Sequence, residues 1–124
     1  MYLLDSNILI YLLSGDERVK KFLKNFIEKK LVISIVSRMD VLIGAEKQQL
    51  SVKDAETFLD FFENIILDKA IVNAAVRIAK EMRNKLKFKD LVIAATANVL
   101  KMTILTADKD FKKIPGLKVQ LLKV

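Results

Sequence analysis

The segment Leu31-Val32-Ile33-Ser34-Ile35 constrains this chain more than any other. It is apolar and largely β-branched on consecutive residues, whereas a half-exposed strand would alternate apolar with polar; it therefore fits a strand covered on both faces. A parallel sheet packed between helices follows from such a strand. Other segments agree. Tyr2-Leu3-Leu4 reads as a short buried strand ending at Asp5, Ile65-Ile66-Leu67 as another, Thr103-Ile104-Leu105-Thr106 as a strand ending near Asp108, and Leu117 to Leu122 as the last.

Helical patterns lie between these runs. Ile8 to Leu13 reads as a brief helix closed by Ser14-Gly15-Asp16, and Val19, Phe22, Leu23, Phe26 and Ile27 form the stripe of an amphipathic helix whose other face carries Lys20, Lys21, Lys24, Lys29 and Lys30. Ser37-Arg38-Met39-Asp40 and Ser51-Val52-Lys53-Asp54 both have the form of a capped helix start, the second leading into Phe58, Leu59, Phe61 and Phe62. A long helix is expected from Ile71 to Leu86. Asp90 opens a further helix, Leu91 to Leu100, too apolar on every side for a surface position and therefore expected at the centre. Strands separated by helices at this rhythm predict an α/β/α sandwich around a mostly parallel sheet, with right-handed crossovers. At 124 residues and 52% hydrophobic, with its breakers single at Gly15, Gly44 and Pro115-Gly116, the chain reads as one domain over 1–124.

Composition then narrows the chemistry. Without Cys or His the chain has no Ser-His-Asp triad, no thiol nucleophile, no disulfide and no ordinary zinc site, so any metal must be held by oxygen, which suits Mg²⁺ or Mn²⁺. The formal charge of +7 permits a polyanionic partner such as nucleic acid. Asp5 and Asn7 interrupt the only apolar start, and no uncharged run approaches a membrane span, so the chain is expected to be soluble and cytoplasmic, with no membrane partner.

Most of the carboxylates lie among lysines and amides, where a solvated helix face explains them. Asp5, Asp40, Asp90 and Asp108 instead abut apolar segments, where an isolated carboxylate is costly unless hydrogen-bonded, paired or bound to a cation. Helix capping is the plain explanation for Asp5, Asp40 and Asp90 taken singly. Taken together, helix starts at the ends of parallel strands face one edge of the sheet, where ligands bind in such folds. Four acids converging there would repel one another until a divalent cation neutralised them.

The segments Leu4-Asp5-Ser6-Asn7-Ile8-Leu9, Ile35-Val36-Ser37-Arg38-Met39-Asp40, Asp90-Leu91-Val92-Ile93-Ala94-Ala95-Thr96-Ala97 and Leu105-Thr106-Ala107-Asp108-Lys109-Asp110-Phe111 resemble, in order, the signature segments of PIN-domain nucleases, above all the VapC-type toxins of toxin-antitoxin operons. The resemblance implies a PIN-like sandwich and a ribonuclease that hydrolyses RNA phosphodiesters, leaving a 5′-phosphate and a 3′-hydroxyl. It makes Asp5, Asp40, Asp90 and Asp108 the catalytic, metal-holding acids for Mg²⁺ or Mn²⁺. Asn7, Thr106, Ser6 and Asp110 become polar residues beside them, with Asp110 an alternate to Asp108. It further implies a cognate antitoxin, a homodimer, and an RNA substrate such as tRNA or another structured RNA.

One position departs from the family pattern, which usually has Glu where this chain has Asp40. Mg²⁺ tolerates little deviation from octahedral geometry, so the shorter side chain implies binding through water, a weak second metal, or slow or lost activity. Lys85, Lys87, Lys89, Lys109, Lys112 and Lys113 flank the two C-terminal acids and would meet an RNA backbone or form a solvated rim. Three other readings compete: a phosphoacceptor receiver domain, which would want adjacent acids where Asp5 is followed by Ser6-Asn7; an inactive RNA-binding or partner-binding module; and a housekeeping RNase.

Overall fold

A computed structural model of the chain describes residues 1–122, so the last two residues of the expected domain lie outside the described residues. Five strands, β1 (Tyr2–Leu4), β2 (Leu31–Ser34), β3 (Glu63–Ile65), β4 (Thr103–Thr106) and β5 (Lys118–Leu121), form one sheet in the order β3-β2-β1-β4-β5. Every neighbouring pair is parallel, as the apolar run of β2 predicts. Six helices connect them: α1 (Ser6–Leu13), α2 (Glu17–Leu23), α3 (Ile35–Lys47), α4 (Val52–Leu59), α5 (Lys69–Glu81) and α6 (Phe88–Leu100).

Alternation along the strands builds two cores from one sheet. Leu3, Val32 and Ile104 face one side, where they pack with Ile71, Ala74 and Ile78 of α5 and Ile93 and Ala97 of α6. Leu4, Ile33 and Leu105 face the other, against Ile8, Leu9, Val19, Val41 and Leu59 from the first four helices. Residues Val92 to Ala97 of α6 are all buried, which confirms the expected central helix.

Several element ends differ from expectation for identifiable reasons. β2 stops at Ser34 because the Ser34 hydroxyl accepts the N–H of Val36 and caps α3, so Ile35 is helical. Ser37, expected as that cap, is buried inside α3. The stripe from Val19 gives way at Lys24 to a 3₁₀ turn through Phe26, leaving Ile27 exposed. β3 is two residues earlier than expected. α5 ends at Glu81 rather than continuing to Leu86, because Arg83 and Asn84 adopt left-handed backbone with φ of 53° and 58°. Ser51 caps α4 as expected, accepting the N–H of Asp54.

Candidate active site

The chain leaves β1 for β2 on one side and later returns to place β4 on the other, so the strand order reverses between β1 and β4. A crevice opens beyond the carboxyl ends of the strands at such a point. Asp5 follows β1 directly, and Thr106 is the last residue of β4. Asp5 is only 2% exposed. Its Oδ1 accepts the N–H of Ser6 at 2.8 Å, capping α1, and its Oδ2 accepts the Thr106 hydroxyl at 2.7 Å.

Thr106 is itself fully engaged. Its Oγ1 accepts from Asn7 Nδ2 at 3.3 Å and from the Asp108 N–H at 3.0 Å, while Asn7 Oδ1 accepts the Ala107 N–H at 3.2 Å. Three residues that the family resemblance sets beside the acids therefore form one network that aims the Asp5 carboxylate. Ser6 takes part through its backbone, and its buried hydroxyl has no hydrogen-bond partner among the described residues.

Asp90 sits in the first turn of α6, and the cap position before that helix is Lys87, which makes no side-chain capping bond. Capping therefore does not explain Asp90. Nor does it explain Asp40, which lies in the middle of α3, so the box expected from Ser37 to Asp40 is absent. Asp108 does cap, its Oδ1 accepting the Asp110 N–H at 2.9 Å at the start of a 3₁₀ turn, Lys109–Lys113. Asp110 is exposed and pairs with Lys113 at 3.2 Å.

Burial pushes the Asp5 carboxyl above its ordinary pKa, against the opposing pull of the Thr106 hydroxyl, the Ser6 N–H and the Lys89 charge, while the Asp90 charge pushes the same way as burial. Burial also raises Asp90, opposed by Lys89 and assisted by Asp108 and Asp110. These acids feel one another's charge. Among the described residues, however, no three of them stand together as a ready metal cage. Asp40 makes an ion pair, its Oδ2 lying 3.4 Å from Lys89 Nζ. Sequence reasoning placed Lys89 only among six flanking lysines; its contact with Asp40, 49 positions away, has no local signal. The donor set is all oxygen, and burial of Asp5 and partial burial of Asp90 leave their charge without full compensation, which fits a hard divalent cation.

A family model described as the PIN domain matches residues 2–117. The chain belongs to the PIN-domain family. Among solved structures, this PIN domain is similar to a chain of a toxin-antitoxin complex from Klebsiella pneumoniae, with 31% identity, a TM-score of 0.85 and coverage of 99% of this chain and 98% of that one. It shares its fold with VapBC2 from Rickettsia felis bound to a promoter DNA fragment, at 21% identity, 98% coverage of both chains and a TM-score of 0.84. The same holds for DNA-bound VapBC from Salmonella typhimurium, at 21% identity, 98% coverage of both chains and a TM-score of 0.83. No curated protein matches the chain in sequence. With the family established, the receiver-domain reading falls away, and the resemblance carried by the four sequence segments holds.

Proposed function

We propose that this PIN-domain protein is the nuclease toxin of a VapC-type toxin-antitoxin pair, and that it hydrolyses RNA phosphodiester bonds with Asp5, Asp40, Asp90 and Asp108 as its acids. The observation that carries the reading is the buried Asp5 carboxylate at the strand-order reversal, held in place by Ser6 and Thr106 and raised in pKa by burial. Capping of α1 accounts for Oδ1 of Asp5, but its two hydrogen bonds do not offset the cost of burial, since its pKa stays raised. Asp5 has no ion-pair partner among the described residues, and its neighbour in charge, Asp90, is raised as well.

Asp5, Asp90 and Asp108, joined by Asp40, are the residues that would hold Mg²⁺ or Mn²⁺. When bound, such an ion supplies charge stabilisation on the phosphate oxygens and favours ionisation of water. One of these carboxylates would take the proton from the attacking water. Asn7 and Thr106 fix the direction of Asp5, and Lys87, Lys89, Lys109, Lys112 and Lys113 put positive charge beside the acids for the phosphate backbone. No covalent intermediate is required, which suits a chain without His or Cys.

The toxin-antitoxin assembly of the Klebsiella relative supports a cognate antitoxin for this chain. Exposed apolar side chains on α5 and α6, Phe88 at 68% and Val76 at 66%, support the expected homodimer. No helix among the described residues is long and apolar enough to cross a membrane.

Purified protein, freed of any copurifying antitoxin, tests the reading on end-labelled tRNAs and short single-stranded RNAs in Mg²⁺ or Mn²⁺. Cleavage is expected, with loss in EDTA and in Asp5→Asn. No cleavage by folded protein in either metal would replace this reading with that of an inactive binding module.

A further inference from the structure

The described residues contain one ion pair to any of the four acids, and it belongs to Lys89. Lys89 is the second residue of α6 and directly precedes Asp90, so its backbone is fixed at the edge of the crevice while its side chain crosses to α3. There its Nζ lies 3.4 Å from Asp40 Oδ2, with side-chain exposures of 35% and 42%. The lysine charge also acts on Asp5 and Asp90, opposing the effect of burial on both. A single ammonium thus partly neutralises three of the four acids.

We propose that the Lys89 ammonium is a built-in cation of this cleft, which holds Asp40 in the metal-free protein and competes with the divalent cation for that carboxylate. The inference rests on the metal-dependent nuclease reading and adds to it a residue that sets metal affinity. An ammonium is a compact charge on a flexible stem with no fixed fork, so its hold on a half-exposed carboxylate is reversible. A divalent cation entering among the acids meets a positive charge already present, and its binding includes the work of displacing it. Asp40 is the acid with most to gain from release. Asp5 is occupied by Ser6 and Thr106, and Asp108 by the Asp110 N–H, whereas Lys89 is the only partner of the Asp40 side chain among the described residues.

Mn²⁺ binding, followed by calorimetry and by the electron paramagnetic resonance of free Mn²⁺, tests this without reference to cleavage. Lys89→Gln is expected to bind Mn²⁺ about tenfold more tightly than the unaltered protein at low ionic strength, and Lys89→Arg to stay within about twofold of it. In an Asp40→Asn background, the gain from Lys89→Gln should shrink to less than about threefold, because the shared carboxylate is gone. Equal or weaker binding by Lys89→Gln, with clear binding by the unaltered protein, would overturn the proposal and leave the nuclease reading intact. A full gain in the Asp40→Asn background would overturn Asp40 as the contested ligand. Absence of Mn²⁺ binding in every folded variant would remove the metal site itself, and this inference with it.

Discussion

The hydroxyl of Thr106, at the end of β4, donates to the carboxylate of Asp5, at the end of β1, across 2.7 Å and 101 positions of sequence. Because Thr106 Oγ1 also accepts from Asn7 Nδ2 and the Asp108 N–H, one side chain joins the two strand ends that frame the crevice. Thr106→Val keeps the shape and removes all three bonds, leaving buried polar groups unpaired. It should lower stability by about 1–3 kcal/mol in urea denaturation. Thr106→Ser keeps the bonds and deletes one methyl, so it should cost about 1 kcal/mol. A Ser variant as unstable as the Val variant would show that the methyl, rather than the hydroxyl network, matters.

Asp90 makes no side-chain hydrogen bond among the described residues, so the charges of Lys89 and Lys87 offset the partial burial of its ionised form only in part. A folded-state pKa above the ordinary 3.8 means that the folded protein binds this proton more tightly than the unfolded chain. The stability cost of ionised Asp90 is therefore present above the raised pKa and fades as pH falls towards the ordinary value. Asp5 acts in the same direction. Near about pH 7, Asp90→Asn should be more stable than the unaltered protein, by no more than about 1 kcal/mol because solvent screens a half-exposed group. The gap should close by about pH 4. Urea midpoints that stay parallel across that range would show that Asp90 carries no such cost.

Asp40 reaches the cleft from the middle of α3 on a side chain one methylene shorter than the usual Glu of the family. Asp40→Glu should lower the Mg²⁺ concentration for half-maximal RNA cleavage by about threefold or more, because Mg²⁺ binds well only where its ligands meet strict geometry. An unchanged Mg²⁺ requirement would mean that reach at this position does not limit the reaction.

Asp108 and Asp110 are separated by a direct comparison. Asp108→Asn keeps an oxygen to cap the 3₁₀ turn while removing the charge, and is expected to reduce RNA cleavage by about 100-fold with the fold retained. Asp110→Asn removes only an exposed pair with Lys113, and activity should stay within about threefold. The opposite ranking in a cleavage time course would make Asp110 the fourth acid.

Local signals made much of this legible. The consecutive apolar residues of β2 and β4 dictated a sheet buried on both faces, and the all-round apolar α6 dictated its own central place. The four acids stood out because each broke or bordered an apolar run. Element ends were less legible. Ser34 and Ser37 carry the same hydroxyl, and Ser34 became the cap because the chain must leave the sheet there, where β2 loses its partners, a condition set by neighbouring strands. Capping, the plain account of Asp5, Asp40 and Asp90, survives for Asp5 and fails for the other two, while Asp108 caps a 3₁₀ turn that was not expected.

The sequence by itself determined which segments are buried, that the strands run parallel, and that Asp5 and Asp90 would be costly in place. Those follow from side-chain hydrophobicity and spacing along a few residues. Tertiary structure alone decided that β4 lies beside β1, that Thr106 therefore meets Asp5, and that Lys89 on α6 meets Asp40 on α3. These contacts span 49 to 101 positions, and their partners are chosen by how the sheet order closes and the helices pack, which local pattern does not encode.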